Sequence, residues 1–280
     1  ALKQYFEPTF NDGDVPLTAN QIADGFASHD ALAPTVSDEI TADIISTGAA
    51  GSGRLIANFG VGVNHIDLDA ARSAGLAVSN TPGVLTDATA DLALALMLMV
   101  SRRAGEGERE LRAGEWHGWR PTHLMGRSLS GKTLGIIGMG RIGKAVAYRA
   151  ALGFGMKIIF FNRSKVTDIN DYVAKQIDDL DVLCAQSDFV SLHCAASADT
   201  FHILNEDRLQ RMQNHAYVIN TARGDVIDEA ALLQALHSGS IGGAGLDVFQ
   251  GEPDINPDFL TAPNTVLLPH LGSATVETRT

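Results

Sequence analysis

Apolar positions along the chain alternate between short unbroken runs and longer stretches at helical spacing. Leu134-Gly135-Ile136-Ile137 and Lys157-Ile158-Ile159-Phe160-Phe161 are runs of the first kind, short and β-branched enough to predict buried strands. Further runs follow at Asp188 to His193, Ala216 to Asn220, Gly245 to Phe249 and Thr265 to Leu268. Helical spacing intervenes from Lys144 to Leu152, with an expected end at Gly153. It recurs from Glu206 to Met212 behind an Asn205 cap, and from Asp228 to His237, closing at Gly239. Strands alternating with helices predict a parallel sheet covered on both faces. Six such strands are the count of a full doubly wound α/β sheet.

Residues 1–80 repeat the rhythm more coarsely. Gln21 to Ser28 reads as helix, Ala31 to Pro34 as extended chain, and Leu55 to Gly62 as a strand running into a glycine turn. Asp67 to Ala74 reads as a helix closed by Gly75, and Leu76 to Ser79 as another strand. The turn at 58–63 exposes backbone N–H groups that could nest a carboxylate, although a plain βα connection reads equally well. Thr81-Pro82-Gly83 breaks the rhythm and marks a boundary. Beyond it, Thr86 to Arg103 predicts a long apolar helix, with Asp87 and Asp91 near its start and Arg102-Arg103 at its end, as the helix dipole favours. A helix apolar all round belongs between domains or in a subunit interface. The polar, glycine-rich stretch from Ala104 to Ser130 reads as an extended arm, whose Trp116 and Trp119 would suit a dimer contact or packing on the chain itself.

The first strand of the larger half runs directly into Gly138-Met139-Gly140-Arg141-Ile142-Gly143, and a helix follows. A bare G-x-G-x-x-G in a chain with 28 glycines would be a weak signal. Set between a strand and a helix, with a second strand at the βαβ distance, it predicts a dinucleotide site. The glycines would serve a tight turn, close approach of a pyrophosphate and close helix packing; the amides at Arg141 and Ile142 would face the phosphates. The NAD version places an acid about 20 residues further on. Here Asn162 stands 19 residues after Gly143, followed by Arg163-Ser164-Lys165. A neutral amide does not repel a 2′-phosphate and the three following residues can bind one, so NADP(H) is favoured, with NAD(H) possible.

Composition narrows the partners. With 45% hydrophobic and 19% charged residues the chain can bury substantial cores, and its length suggests two domains. The formal net charge of -12 argues against nucleic acid or anionic membrane as a partner, so an anionic substrate must be drawn in by local cations. Cys184 and Cys194 are the only cysteines, Cys184 reading as buried and apolar; no metal-ligand spacing is evident. Few cysteines and no signal-like opening fit a reducing cytoplasm. The missing initiator Met and the helix-like opening at Ala274 to Thr280 suggest trimmed ends.

Ligands of doubly wound sheets bind outside the carboxyl ends of the strands. Three polar groups follow three successive strand ends there: Arg223, Glu252 and His270. Each alone could be a surface or turn residue. Together they form the set that hydride transfer to a 2-keto acid needs. A histidine protonates the nascent alkoxide, a carboxylate favours its charged form, and a guanidinium binds carboxylate and keto oxygen.

The motifs GMGRIG (138–143), NTARGDVID (220–228), GLDVFQGEP (245–253) and LPHLGSAT (268–275) closely resemble those of D-isomer-specific 2-hydroxyacid dehydrogenases. NFGVGVNHIDL (58–68) and NTPGVLTDATAD (80–91) look like the glyoxylate/hydroxypyruvate reductase branch. The resemblance implies a Rossmann domain plus a smaller flavodoxin-like α/β substrate domain, discontinuous in sequence. Residues 82–270 would form the first, and 1–81 with the start of a returning segment at 271–280 the second. It implies Arg223 as substrate anchor, Glu252 as partner of His270, and His270 as acid/base. Amides of Val61 and Gly62 would hold the substrate carboxylate. Thr86 and Asp247 would lie near the nicotinamide, and His193, Thr221 and Gly272 would also contact cofactor. Where the family often has a proline-containing turn, this chain has His193-Cys194-Ala195-Ala196. A homodimer is implied, with reduction of glyoxylate or hydroxypyruvate as the expected activity. Phosphoglycerate dehydrogenase and a nucleotide-sensing corepressor-like protein are the alternatives.

Overall fold

The computed structural model describes residues 2–280 apart from 14 and 170. Contacts divide it into two units, 1–82 and 83–280.

The first unit carries a three-stranded parallel sheet of β1 (Ala31–Leu32), β2 (Leu55–Ala57) and β3 (Ala77–Ser79), in that order. Helix α1 (Ala19–Ser28) precedes β1, and α2 (Ala42–Ala50) and α3 (Leu68–Ser73) connect the strands; each is opened by a side-chain cap, Thr18, Thr41 and Asp67. Phe26, fully buried, occupies the seam where α1 meets α2. A Cβ on Gly48 would lie 2.1 Å from the Phe26 ring and one on Gly53 would lie 2.6 Å from it, so two glycines make the space this ring fills.

The second unit begins with α4 (Thr86–Ser101) and α5 (Ala104–Arg112). Then come β4 (Thr133–Ile137), α6 (Arg141–Phe154), β5 (Lys157–Phe161), β6 (Ala174–Gln176), α7 (Leu180–Gln186) and β7 (Phe189–Leu192). After them follow α8 (Glu206–Arg211), β8 (Tyr217–Asn220), α9 (Glu229–Ser238), β9 (Gly243–Leu246), β10 (Thr265–Leu267) and α10 (Val276–Arg279). The sheet runs β10-β9-β8-β7-β4-β5-β6, every pair parallel. All carboxyl ends therefore share one edge. The strand order reverses beside β4, and β4 leads into the glycine motif. Strands β7, β8 and β9 are buried along their whole length, as a sheet covered on both faces requires.

Three expectations are corrected. The sheet has a seventh described strand, β6, paired to β5; three residues of sequence Ala-Lys-Gln carry no strand pattern of their own. The stretch expected to be an extended arm opens with helix α5. Its two glycines hide the helical pattern, but Arg103 pairs with Glu106 and Arg112 with Glu108 at helical spacing. Helix α6 runs through Gly153 and stops at Gly155, which takes the left-handed cap conformation (φ 62°) that Gly153 does not. Helix α4 packs on β8, β9, β10 and α6, and keeps Leu98 partly exposed. Residues 271–280 group with the second unit.

Phe26→Ala should cost the first unit about 3–5 kcal/mol, because the two flanking glycines leave nothing to refill the void. Urea denaturation should show a lowered midpoint for that unit; a loss under 1 kcal/mol would mean the seam collapses freely.

Candidate active site

Strand β4 ends at Ile137, and the three glycines that follow are needed for different reasons. Gly138 has φ +98°, and a Cβ there would lie 2.6 Å from the Cys194 amide nitrogen. A Cβ on Gly143 would lie 2.2 Å from the Gly138 carbonyl oxygen, so this glycine lets α6 sit against the turn. Gly140 has open space where its Cβ would be, and as N-cap of α6 it offers no side-chain cap to the first-turn amides. Open room in front of uncapped amides suits a pyrophosphate, so these residues fit a dinucleotide.

Beyond β5, the Asn162 side chain is committed to the turn: its Oδ1 accepts from the Met139 amide (3.1 Å) and its Nδ2 donates to the Ser164 carbonyl (3.0 Å). Arg163 stands almost fully exposed, with Asp199 at 3.7 Å. Lys165, also exposed, extends the same basic turn. At the end of β7, His193 Nε2 lies 2.8 Å from Ser191 Oγ, and Nδ1 lies 3.5 Å from Thr221 Oγ1. Desolvation pushes the His193 imidazole down to about 4, leaving it neutral at ordinary pH.

Arg223, Glu252 and His270 follow the ends of β8, β9 and β10. His270 Nδ1 lies 2.7 Å from Glu252 Oε2, while the other oxygen, Oε1, accepts from the Phe249 amide at 2.7 Å. An ionised carboxylate only accepts, so Nδ1 carries the hydrogen and Nε2 is the ring nitrogen left for a ligand. Burial raises the Glu252 carboxyl, but the His270 hydrogen bond, the Phe249 amide and the charges of His270 and Arg223 outweigh it; the group sits below its ordinary value. Arg223 is largely desolvated, which lowers its guanidinium while Glu252 raises it. Its Nη1 donates to the Ala222 carbonyl at 2.7 Å, and the Asn220 side chain holds the Arg223 carbonyl at 2.8 Å.

Asp247, 1% exposed, builds the turn that presents His270. Its Oδ1 accepts from the Leu271 amide (2.7 Å), its Oδ2 from the Gly272 amide (2.8 Å), and its carbonyl from the His270 amide (2.9 Å). Thr89 Oγ1 donates to the Gly272 carbonyl at 3.0 Å. The resemblance placed Asp247 and Gly272 at the cofactor; within the chain they hold one another. Thr86 is the first residue of α4, its amide donating to the Gly83 carbonyl.

In the first unit, the turn bearing Val61 and Gly62 is tied by Asn58, 2% exposed. Asn58 Nδ2 donates to the carbonyls of Gly60 and Gly62, and Oδ1 lies 2.9 Å from His65 Nε2. Asn80 Nδ2 donates to the Val61 carbonyl. Carbonyls committed in this way are how a turn can present its amides outward. Sequence reading missed Asn58 and Thr89; the signal for Asn58 was a lone polar residue in the apolar run 55–59, whereas Thr89 lies among other polar residues at 86–91 and carried none. Among the described residues no acidic, histidine and cysteine group could hold a metal ion, and no helix is long and apolar enough to cross a membrane.

A family model for the D-isomer specific 2-hydroxyacid dehydrogenase NAD binding domain matches residues 94–272. The chain belongs to the D-isomer-specific 2-hydroxyacid dehydrogenases. It is therefore an oxidoreductase whose second unit carries the nicotinamide-cofactor domain of that family. The chain is 46% identical to a glyoxylate reductase of Thermococcus litoralis over 89% of its own length and 76% of the relative's. It is 42% identical to a glyoxylate reductase of Korarchaeum cryptofilum over 99% and 83%. A crystal structure of the NADPH-dependent glyoxylate/hydroxypyruvate reductase of Sinorhizobium meliloti with NADP and malonate superposes with a TM-score of 0.83. That pair shares 34% identity, covering 94% of this chain and 80% of the other.

The His193 environment predicts a pH dependence of stability in this dehydrogenase. The unfolded chain takes up a proton on this imidazole as pH falls through about 6.5, the folded chain only near 4. Stability from this group is thus lost on acidification across that window, at up to about 1.4 kcal/mol per pH unit. Urea midpoints measured from pH 7 to 4.5 should fall, and His193→Gln should flatten the slope; an unchanged slope would mean His193 is protonated in the folded state.

Proposed function

We propose that the protein reduces small 2-keto acids of the glyoxylate and hydroxypyruvate class to the corresponding 2-hydroxy acids, with NADPH preferred over NADH. The observation that carries the reading is the 2.7 Å His270–Glu252 pair, set beside Arg223 on the carboxyl edge of the sheet. When bound, a reduced nicotinamide supplies the hydride. The protein's own groups do the rest. Arg223 receives the keto oxygen and the carboxylate, and stabilises charge as it develops on that oxygen. His270, its Nδ1 held by Glu252, delivers the proton from Nε2, and the carboxylate steadies the imidazolium before transfer. The first unit is read as the substrate domain, where the amides of Val61 and Gly62 suit a carboxylate. Thr86, Thr221, Asp247, Gly272 and His193 line the cofactor side.

The preference for NADPH rests on Asn162 and on the exposed Arg163-Ser164-Lys165 turn, where the NAD version has an acid. The NADP complex of the Sinorhizobium meliloti enzyme supports it. Exposed Leu111, Trp116, Trp119 and Met125 follow α4 along 104–130, and we assign them to contact with a second copy. The sparse cysteine usage, two in the chain, fits a reducing cytoplasm. A corepressor-like sensor is the second reading, since such a protein could retain the same three residues; it would bind NADPH without consuming it.

A panel of small 2-keto acids assayed with both cofactors tests the assignment. Glyoxylate or hydroxypyruvate should be reduced fastest with NADPH, and no turnover with any keto acid would leave the sensor. His270→Ala should lower kcat by roughly 10²–10⁴ with little change in cofactor affinity; unchanged turnover would remove His270 from the mechanism. Arg163→Ala should weaken NADPH by about 1.5–3 kcal/mol while sparing NADH, read as the two dissociation constants. Equal losses would overturn the NADPH preference.

A further inference from the structure

The Glu252 carboxylate hangs on a short loop, and what fixes that loop is a second carboxylate the mechanism does not use. Glu229 opens α9 and is 7% exposed. Its Oε1 accepts from the Gln250 amide at 2.7 Å, one residue after the Phe249 amide that donates to Glu252. Burial raises the Glu229 carboxyl, and the charges of Asp225 and Glu252 add to that, against the lowering effect of the Gln250 amide. A carboxyl in so unfavourable a place, spending its bond on one loop amide, is poorly explained as a helix-start acid, because Asp228 already caps α9.

Two further contacts fix the same residue. Gln250 Nε2 lies 2.9 Å from His202 Nε2, and His202 Nδ1 lies 3.8 Å from Asp228. The turn carrying Arg223 presses on the loop directly: a Cβ on Gly224 would lie 2.0 Å from the Phe249 carbonyl carbon and 2.2 Å from the Gln250 nitrogen. Arg223 and Glu252 are thus set against one another through backbone, with Glu229 closing the other side.

We infer that Glu229 is a positioning residue for the reduction: its carboxylate pins the main chain at Gln250 and thereby aims Glu252 at His270. The inference rests on the proposed keto-acid reductase reading and adds to it a residue that touches neither substrate nor cofactor. Freed from Glu229, the loop lets the Glu252 oxygen drift from Nδ1, and misplacement of about 1 Å at such a site costs up to 10²-fold in rate.

The test compares Glu229→Leu, close in volume but without an acceptor, with Glu229→Gln, which keeps one. Glu229→Leu should lower kcat roughly 10- to 100-fold with KM and NADPH affinity within about twofold. Glu229→Gln should recover most of the loss. Amide exchange across 247–253 should accelerate in Glu229→Leu and return in Glu229→Gln, a readout that needs no turnover. In a Glu252→Gln background the Glu229→Leu loss should largely vanish, because the two act as one unit. Equal kcat in wild type and Glu229→Leu, or fully additive losses, would overturn the inference while leaving the reductase reading intact. If Glu229→Leu does not fold, Glu229→Gln with wild-type protection at 247–253 but a 10-fold lower kcat also overturns it. A wild-type protein that turns over no keto acid ends the reductase reading, and this inference with it.

Discussion

The reactive edge of this dehydrogenase depends on one buried carboxylate. Asp247 directly follows β9 and is 1% exposed, and its oxygens take the amides of Leu271 and Gly272. Between those acceptors and the Asp247 carbonyl, His270 is held at φ +55°, a conformation a histidine seldom adopts unaided. Burial raises the Asp247 carboxyl while the two amides oppose it, so the bonds offset part of the desolvation. The turn is then closed from α4 by Thr89. Strain at His270 is sustained because several independent bonds fix it, which is the usual condition for strain at a functional turn.

A second constraint is absence of bulk. Gly143 against Gly138, Gly138 against Cys194, and Gly224 against Phe249 and Gln250 each bring backbone to within a distance no Cβ permits. The first two shape the turn that fits a pyrophosphate; the third sets the Arg223 turn against the Glu252 loop. Gly140 differs, since open space lies before it, and that contrast separates a glycine kept for packing from one kept for a ligand.

Local features were legible in the sequence. The βαβ unit around 138–143 carries its turn, its helix start and its strands within a few dozen residues, so spacing sufficed. Arg223, Glu252 and His270 could be grouped because a parallel sheet puts every strand end on one edge; the fold brings Glu252 and His270 into contact and Arg223 within electrostatic reach. The supporting residues were not legible. Thr89 meets Gly272 across 183 positions, and Glu229 looks like any acid in a first helical turn. Their roles arise from tertiary placement, which no local pattern encodes. Strand β6 was too short to show a period, and α5 was masked by Gly105 and Gly107.

Three carboxylates sit around this edge, and their partners sort them by task. Asp247 and Glu229 are bonded to backbone amides, which have no proton to give up in the working pH range, and burial raises both. Those bonds fix the turn after β10 and the loop at Gln250. Glu252 splits its oxygens, one to the Phe249 amide and one to the His270 imidazole, and is the carboxylate of the three held below its ordinary value. Its amide bond fixes direction, and its imidazole bond holds Nδ1 and leaves Nε2 facing away from the carboxylate. A carboxylate held ionised against an imidazole nitrogen favours the charged form of that ring, and that difference in partner separates Glu252 from the two carboxylates that frame it.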